Sequence, residues 1–238
     1  MSTIGFDTGP QQVRTALLSV SDKTGLIDFA TRLTTLDIQL LSTGGTAAAL
    51  RQAGLNVKDV SQVTGFPEIM DGRVKTLHPH IHGGILAKRD KSEHLDALKK
   101  HDIAPVDMIV ANLYPFAQTV TAGADFATCI ENIDIGGPAM IRAGAKNHRY
   151  VSVVTDPADY HAVAIALEAD GTVDAETRQW LAQKAFQQTA SYDQMIADWL
   201  TQQTQKTKPE EAEYRLKLSA EKTLDLRYGE NPHQTAGL

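Results

Sequence analysis

Five short apolar runs, Thr15–Val20, Ile38–Leu41, Val57–Val60, Met108–Tyr114 and Val151–Val154, recur along the chain, and the segments between them decide the fold class. Each run has the length of a strand, falls short of a helix and is apolar enough to be buried. The first leads through the turn and capping residues of Ser21–Gly25 into a segment with Leu26, Phe29, Ala30 and Leu33 at helical spacing. The second leads through Ser42–Thr46 into a helix over Ala47–Gln52 that stops at Gly54. The fifth leads through Asp156 and Pro157 into a helix over Asp159–Ala169 that ends at Gly171. Strands alternating with helices predict an α/β chain built on a parallel sheet. Between Val60 and Met108, Ile85–Ala87 reads as a short buried segment and Lys91–His101 as a polar surface helix. A further helix starts at Pro138, and a long one covers Asp174–Gln203. The long helix carries Leu181, Ala185, Tyr192, Met195, Ile196 and Trp199 as a core or interface stripe, with no chemistry assigned to it.

The 238 residues suffice for one large domain, or for one domain and the start of another. A formal charge of −6 argues against a general nucleic-acid surface, so any anion site has to be made locally positive by a few placed groups. A single cysteine, Cys129, excludes an internal disulfide framework and reads as packing. The amino terminus has no basic-then-apolar signal pattern and no apolar run approaches membrane-spanning length, so the expectation is a cytoplasmic protein.

Chemistry is concentrated in two stretches. Asp71–Gly84 holds Arg73, Lys75, Thr76 and the histidines His78, His80 and His82. In an extended backbone Arg73 and Lys75 would face one side and share an anion; the alternative is a solvated loop. The histidines flank Pro79 with no acidic or cysteine partner at useful spacing, so a metal is not expected. Ile133–Lys146 holds Asp134, then Gly136 and Gly137, then Pro138 in a helix's first turn. An Asp134–Lys146 pair is the preferred reading and two unrelated surface charges the other. Ser42–Thr46 opens a helix with hydroxyls and glycines, which serves either phosphate binding or tight turning. Asn112 and Tyr114 end the most strand-like run, where ligands of open parallel sheets bind, although Tyr114 also reads as a rim residue.

Taken together, the strings in Ser19–Gly25, Ser42–Thr46, Gly72–Pro79, Asn112–Pro115, Ile133–Gly137 and Ala145–His148 closely resemble the inosine monophosphate cyclohydrolase domains of bifunctional purine-biosynthesis enzymes. The resemblance covers residues 14–199, and Leu226–Gln234 is similar to the opening of the transformylase domain of the same family. It implies a methylglyoxal-synthase-like, Rossmann-type three-layer α/β/α domain, a homodimer, and no cofactor or metal for the cyclohydrolase. Any 10-formyltetrahydrofolate would belong to the transformylase domain, and no formyl transfer is expected here. The expected domains are a leader over 1–13, a cyclohydrolase domain over 14–203, a linker over 204–225 and the start of a second domain over 226–238.

The implied reaction closes the second ring of the formylated imidazole carboxamide ribonucleotide with loss of water. Lys75, Tyr114, Asp134 and Lys146 are the implied catalytic residues, with Asp134 accepting the amide proton, Lys146 holding it ionised, and Lys75 and Tyr114 serving the oxyanion. Ser19, Lys23, Ser42, Thr43, Gly44, Gly45, Thr46, Arg73, Thr76 and Asn112 are the implied phosphate and substrate contacts, with Ile135 and Gly136 beside the base. The competing readings are phosphate elimination from a triose phosphate, as in methylglyoxal synthase, and a non-catalytic nucleotide-sensing module like that of carbamoyl phosphate synthetase.

Overall fold

The computed structural model describes residues 12–207 and the pairs 225–226 and 236–237. In chain order, its first half contains β1 (Thr15–Ser19), α1 (Leu26–Thr35), β2 (Gln39–Ser42), α2 (Gly44–Gln52), β3 (Val57–Asp59), α3 (Val60–Thr64), α4 (Pro79–Leu86) and α5 (Ser92–Lys100). There follow β4 (Met108–Ala111), α6 (Phe116–Thr121), α7 (Phe126–Glu131), α8 (Gly136–Lys146), β5 (Ser152–Val154), α9 (Tyr160–Asp170) and α10 (Ala175–Thr207). The first five strands form one sheet in the order β3-β2-β1-β4-β5, with every pairing parallel. The chain divides into two units between Ala197 and Asp198; the sheet belongs to the first, and the second contains an antiparallel pair, β6 (Asp225–Leu226) with β7 (Ala236–Gly237).

Both faces of the sheet are covered, which is why its strands read as continuous apolar runs rather than as alternating patterns. Ala16, Leu18, Leu40, Met108 and Val110 point to one side, where they pack with Leu26, Phe29, Ala30 and Leu33 of α1 and with Val163, Ala164 and Leu167 of α9. Phe29 stacks on Tyr160 at 4.6 Å between ring centroids, joining those two helices. Leu17, Leu41, Ile109 and Val153 point to the other side, against Ile81 and Ile85 of α4 and Met140, Ile141 and Ala145 of α8. Gly144 lets α8 lie close on the sheet, because a Cβ there would sit 2.6 Å from Val153 Cγ2 and 2.7 Å from Ile109 Cδ1. The three-layer α/β/α arrangement expected from the sequence is therefore observed.

Local departures have identifiable causes. The third strand stops at Asp59 instead of Val60, since Asp59 and Gln62 form a capping box that starts α3. The stretch after Gly65 is not extended: Met70–Gly72 is a short 3₁₀ turn, Arg73 is helical at φ −59 and ψ −26, and α4 follows. That helix absorbs Ile85 and Leu86 of the expected short segment. His78 caps it, its Nδ1 accepting from the His80 N–H at 3.2 Å, and Pro79 occupies its first turn. Of the expected leader, residues 1–11 lie outside the described residues, but Val13 is buried and its N–H donates to the Gly171 carbonyl at 3.1 Å. Of the expected linker, 204–207 continue α10, and 208–224 lie outside the described residues, as do 227–235 and 238 of the expected second domain.

At the amino-terminal end of the sheet, Asp107 is the tie. Its Oδ2 accepts from the N–H groups of Arg14 and Thr15, each at 2.8 Å, and its Oδ1 accepts from Arg89 Nη1 at 2.6 Å. Both side chains are largely buried, so removing the carboxylate strands a guanidinium and two amides. Asp107→Ala is expected to cost about 3–5 kcal/mol in urea unfolding at neutral pH, with little change in ligand affinity at the opposite end of the sheet.

Candidate active site

The strand order turns around at β1. The chain steps outward through β2 and β3, then returns to add β4 and β5 on β1's other side. The connections leaving β1 and β4 diverge there, opening a crevice at their carboxyl ends. A cavity of about 580 Å³ occupies it, lined from β1 by Ser19 and Lys23, from the β2–α2 junction by Thr43, Gly44, Gly45 and Thr46, and from β4 by Asn112 and Tyr114. Arg73, Lys75 and Thr76 enter from the turn before α4, and Asp134, Ile135 and Gly136 from the start of α8. All the residues expected at the site line this cavity except Ser42 and Lys146.

One end of the cavity is cationic. Thr43 precedes α2 in extended conformation without a side-chain cap, so the first-turn N–H groups of Gly44 and Gly45 stand at the positive end of the helix with no side chain satisfying them. The Lys75 ammonium packs between two glycines in left-handed conformation: a Cβ on Gly44 (φ +54) would lie 3.0 Å from Nζ, and one on Gly72 (φ +82) 3.1 Å from it. Met70 and Asp71, at φ 51 and 52, are left-handed too, so three consecutive unusual residues bend the chain to deliver Lys75. Two exposed carboxylates attend the cations: Glu68 lies 3.9 Å from Lys75, and Glu131 pairs with Arg73. Lys23 donates to the Ser21 carbonyl at 3.4 Å.

The other end is a carboxylate held in a tight mould. Asp134 Oδ1 accepts from the Gly137 N–H at 2.8 Å, the first turn of α8, and the Tyr114 N–H also donates to this carboxylate. Burial pushes the Asp134 carboxyl above the ordinary aspartate range, and those two backbone bonds oppose the rise without cancelling it. Tyr114, half-exposed at the cavity mouth, has its phenol pushed up by burial and then by the Asp134 charge. Gly136 and Gly137 make the fit possible: a Cβ on Gly137 would lie 2.5 Å from Asp134 Oδ2, and one on Gly136 2.7 Å from Thr76 Oγ1. Such a carboxylate is more basic than one in water, and a cation lines the same cavity.

Some expected residues do other work. Ser42 is fully buried and donates to the Leu18 carbonyl at 2.7 Å, while the Thr46 hydroxyl bridges the N–H and carbonyl of Val20, each at 3.0 Å. Asn112 spends its amide on the β1–α1 loop, accepting from Ser21 and Asp22 N–H at 2.7 and 2.9 Å and donating to the Asp22 carbonyl at 2.9 Å. Thr46 and Asn112 therefore shape the walls, and Ser42 ties β2 to β1. The preferred Asp134–Lys146 pair is not formed within this chain: Lys146 ends α8, exposed, whereas Asp134 precedes its start, and a helix rises about 1.5 Å per residue. Among the described residues no group of three or more His, Cys, Asp or Glu is arranged to hold a metal. His80 instead bonds the Val63 carbonyl at 3.0 Å, and burial pushes the His82 imidazole down. Tyr192 of α10 was missed by sequence reading; its hydroxyl accepts from the Asp134 N–H at 2.9 Å. A tyrosine inside an otherwise apolar helix stripe was the available signal, since a buried hydroxyl needs a partner.

The raised carboxyl has a stability consequence. Between the ordinary aspartate value and the raised one, the folded chain binds more protons at Asp134 than the unfolded chain does, so this group's contribution falls as pH rises through that window. Wild type is expected to lose stability relative to Asp134→Asn on going from below pH ~4 to pH ~7, as read by paired urea melts.

The family model for the MGS-like domain matches residues 25–139, and that for the AICARFT/IMPCHase bienzyme matches residues 144–238. A bifunctional purine biosynthesis protein PurH from Bradyrhizobium diazoefficiens is 58% identical over 228 residues, covering 95% of this chain and 42% of the relative. The protein of the same name from Jannaschia sp. is 55% identical over 234 residues, covering 96% of this chain and 43% of the relative. This chain thus spans less than half the length of those curated relatives. A solved structure, that of ForH, superposes with a TM-score of 0.69 at 37% identity, covering 78% of this chain and 97% of that one. With that identity across nearly all of the ForH chain, and both family models matching in sequence order, the chain belongs to the AICARFT/IMPCHase family and carries its MGS-like domain.

Proposed function

We propose that the chain is an inosine monophosphate cyclohydrolase, closing 5-formamidoimidazole-4-carboxamide ribonucleotide to inosine monophosphate with loss of water. The observation that carries this reading is a single cavity lined at one end by a lysine beside a glycine-rich helix N-terminus and at the other by a buried carboxylate of raised basicity. Phosphate fits the first end, where the Gly44 and Gly45 N–H groups, Lys23 and Arg73 supply donors and positive charge. The base then lies toward Asp134, Ile135 and Gly136.

The carboxamide nitrogen is a weak nucleophile and the formamide carbon a weak electrophile. Asp134 takes one proton from the carboxamide as its nitrogen bonds to the formyl carbon, and a burial-raised carboxyl suits this better than an ordinary aspartate. The formyl oxygen gathers negative charge, which the Lys75 ammonium and the Tyr114 hydroxyl stabilise and then protonate. That oxygen takes a second proton and leaves as water while the former formamide nitrogen gives up its proton and forms the new C=N bond; this proton and the one on Asp134 replace the two that the donors gave. Since both reacting groups belong to one molecule, fixing their conformer supplies much of the acceleration. The steps use no cofactor and no metal. Lys146 is left out, because its position at the far end of α8 gives it no contact with Asp134 in this chain.

We take the protein to work as a cytoplasmic homodimer with no nucleic-acid partner; the charge of −6 supports the last point, and no described helix is long and apolar enough to cross a membrane. The test is an absorbance assay with the formylated ribonucleotide and no folate. Lys75→Ala and Asp134→Ala are each expected to lower kcat by about 10²–10⁴-fold while product affinity, read by calorimetry, changes far less. Lys23→Ala is expected chiefly to weaken product binding. No closure above the buffer rate by a chain that binds inosine monophosphate would favour nucleotide sensing instead.

A further inference from the structure

We propose that Tyr192, on the long helix α10, is a positioning residue that sets where the Asp134 carboxylate stands in the cavity. The observation is a pair of hydrogen bonds to the turn before α8. The Tyr192 hydroxyl accepts from the Asp134 N–H at 2.9 Å and donates to the Asn132 carbonyl at 3.4 Å. One phenol thus closes the backbone of residues 132–134 from outside, while the Asp134 side chain reaches forward to cap α8 through the Gly137 N–H. Held from both sides, the carboxylate has little freedom to swing. The phenol itself is held by its ring, which is buried and meets Phe116 edge-on at 6.4 Å between centroids. Phe116 begins α6, directly after the Asn112–Pro115 segment that supplies the Tyr114 N–H to the same carboxylate. Tyr192 therefore braces both segments that grip Asp134, without being one of the groups assigned to touch substrate.

This inference rests on the cyclohydrolase reading for its kinetic consequence, but its structural part stands apart from it. The test compares Tyr192→Phe, which removes only the hydroxyl, with Phe116→Leu, which loosens the ring packing and leaves the hydroxyl in place. Tyr192→Phe is expected to lower kcat about tenfold or more with KM changed less than about twofold, because a displaced carboxylate weakens the reacting geometry and leaves the phosphate end intact. The Asp134 amide is expected to exchange its proton faster in Tyr192→Phe than in wild type at equal global stability, and Phe116→Leu, which keeps the hydroxyl, is expected to lose stability with a smaller kcat loss than Tyr192→Phe. The proposal is overturned if Tyr192→Phe keeps wild-type kcat and wild-type Asp134 exchange, or if both variants change kcat and KM alike. Should wild type fail to close the ring at all, the cyclohydrolase reading falls, and the Asp134 exchange rate in Tyr192→Phe alone decides whether the brace exists.

Discussion

The arrangement of this protein depends on β1 being paired on both edges by parallel neighbours that the chain reaches in opposite directions. A parallel sheet needs a crossover for every strand, and both of its faces must be covered to bury its apolar side chains. Once β2 and β3 lie to one side and β4 and β5 to the other, the loops leaving β1 and β4 part company. A crevice at their carboxyl ends results from topology alone, before any side chain is specified. The same topology aims the start of α2 into that crevice, because α2 begins two residues after β2 ends. The positive end of a helix thus stands where an anion would bind, in a protein whose net charge is −6.

Backbone room fixes the chemistry of that crevice. Gly44 and Gly72 let the Lys75 ammonium settle against main chain, and Gly136 and Gly137 do the same for Thr76 and Asp134. Any side chain at these positions would push a charged or hydroxyl group out of place, by contacts shorter than 3.2 Å. Charge placement here is a matter of missing side chains as much as of present ones. The left-handed backbone of Met70, Asp71 and Gly72 fits the same account, since it bends the chain just ahead of Lys75.

The support for the site comes from residues outside it. Asn112 and Thr46 tie the β1–α1 loop to β4 and to α2, and Tyr192 ties the turn before α8 to α10. Each uses a polar group for a backbone bond in a place where unsatisfied backbone would be costly. Lys146 shows the opposite case, a charge whose partner in sequence reading is separated from it by the whole length of α8. The cations that do reach the cavity, Lys75 and Arg73, have Glu68 and Glu131 beside them.

The sequence by itself determined the α/β class, the strands, and most of the residues that line the cavity. Strand length, helical spacing and turn chemistry are local properties, and the dense motifs Ser42–Thr46, Asp71–Gly84 and Ile133–Lys146 each carry their own chemical signature. Tertiary structure alone decided which polar groups remain free for a ligand. Asn112, Ser42 and Thr46 looked like donors to a ligand, yet their partners are backbone atoms 24 to 91 residues away, and no local pattern reports a bond of that span. It decided as well that the Arg73–Lys75 segment turns instead of extending, with the left-handed residues Met70–Gly72 folding the chain into a 3₁₀ turn ahead of α4. Tyr192 belongs to the same class: helical spacing placed it in the buried stripe, but only the meeting of α10 with the turn before α8 gave its hydroxyl the Asp134 backbone as partner.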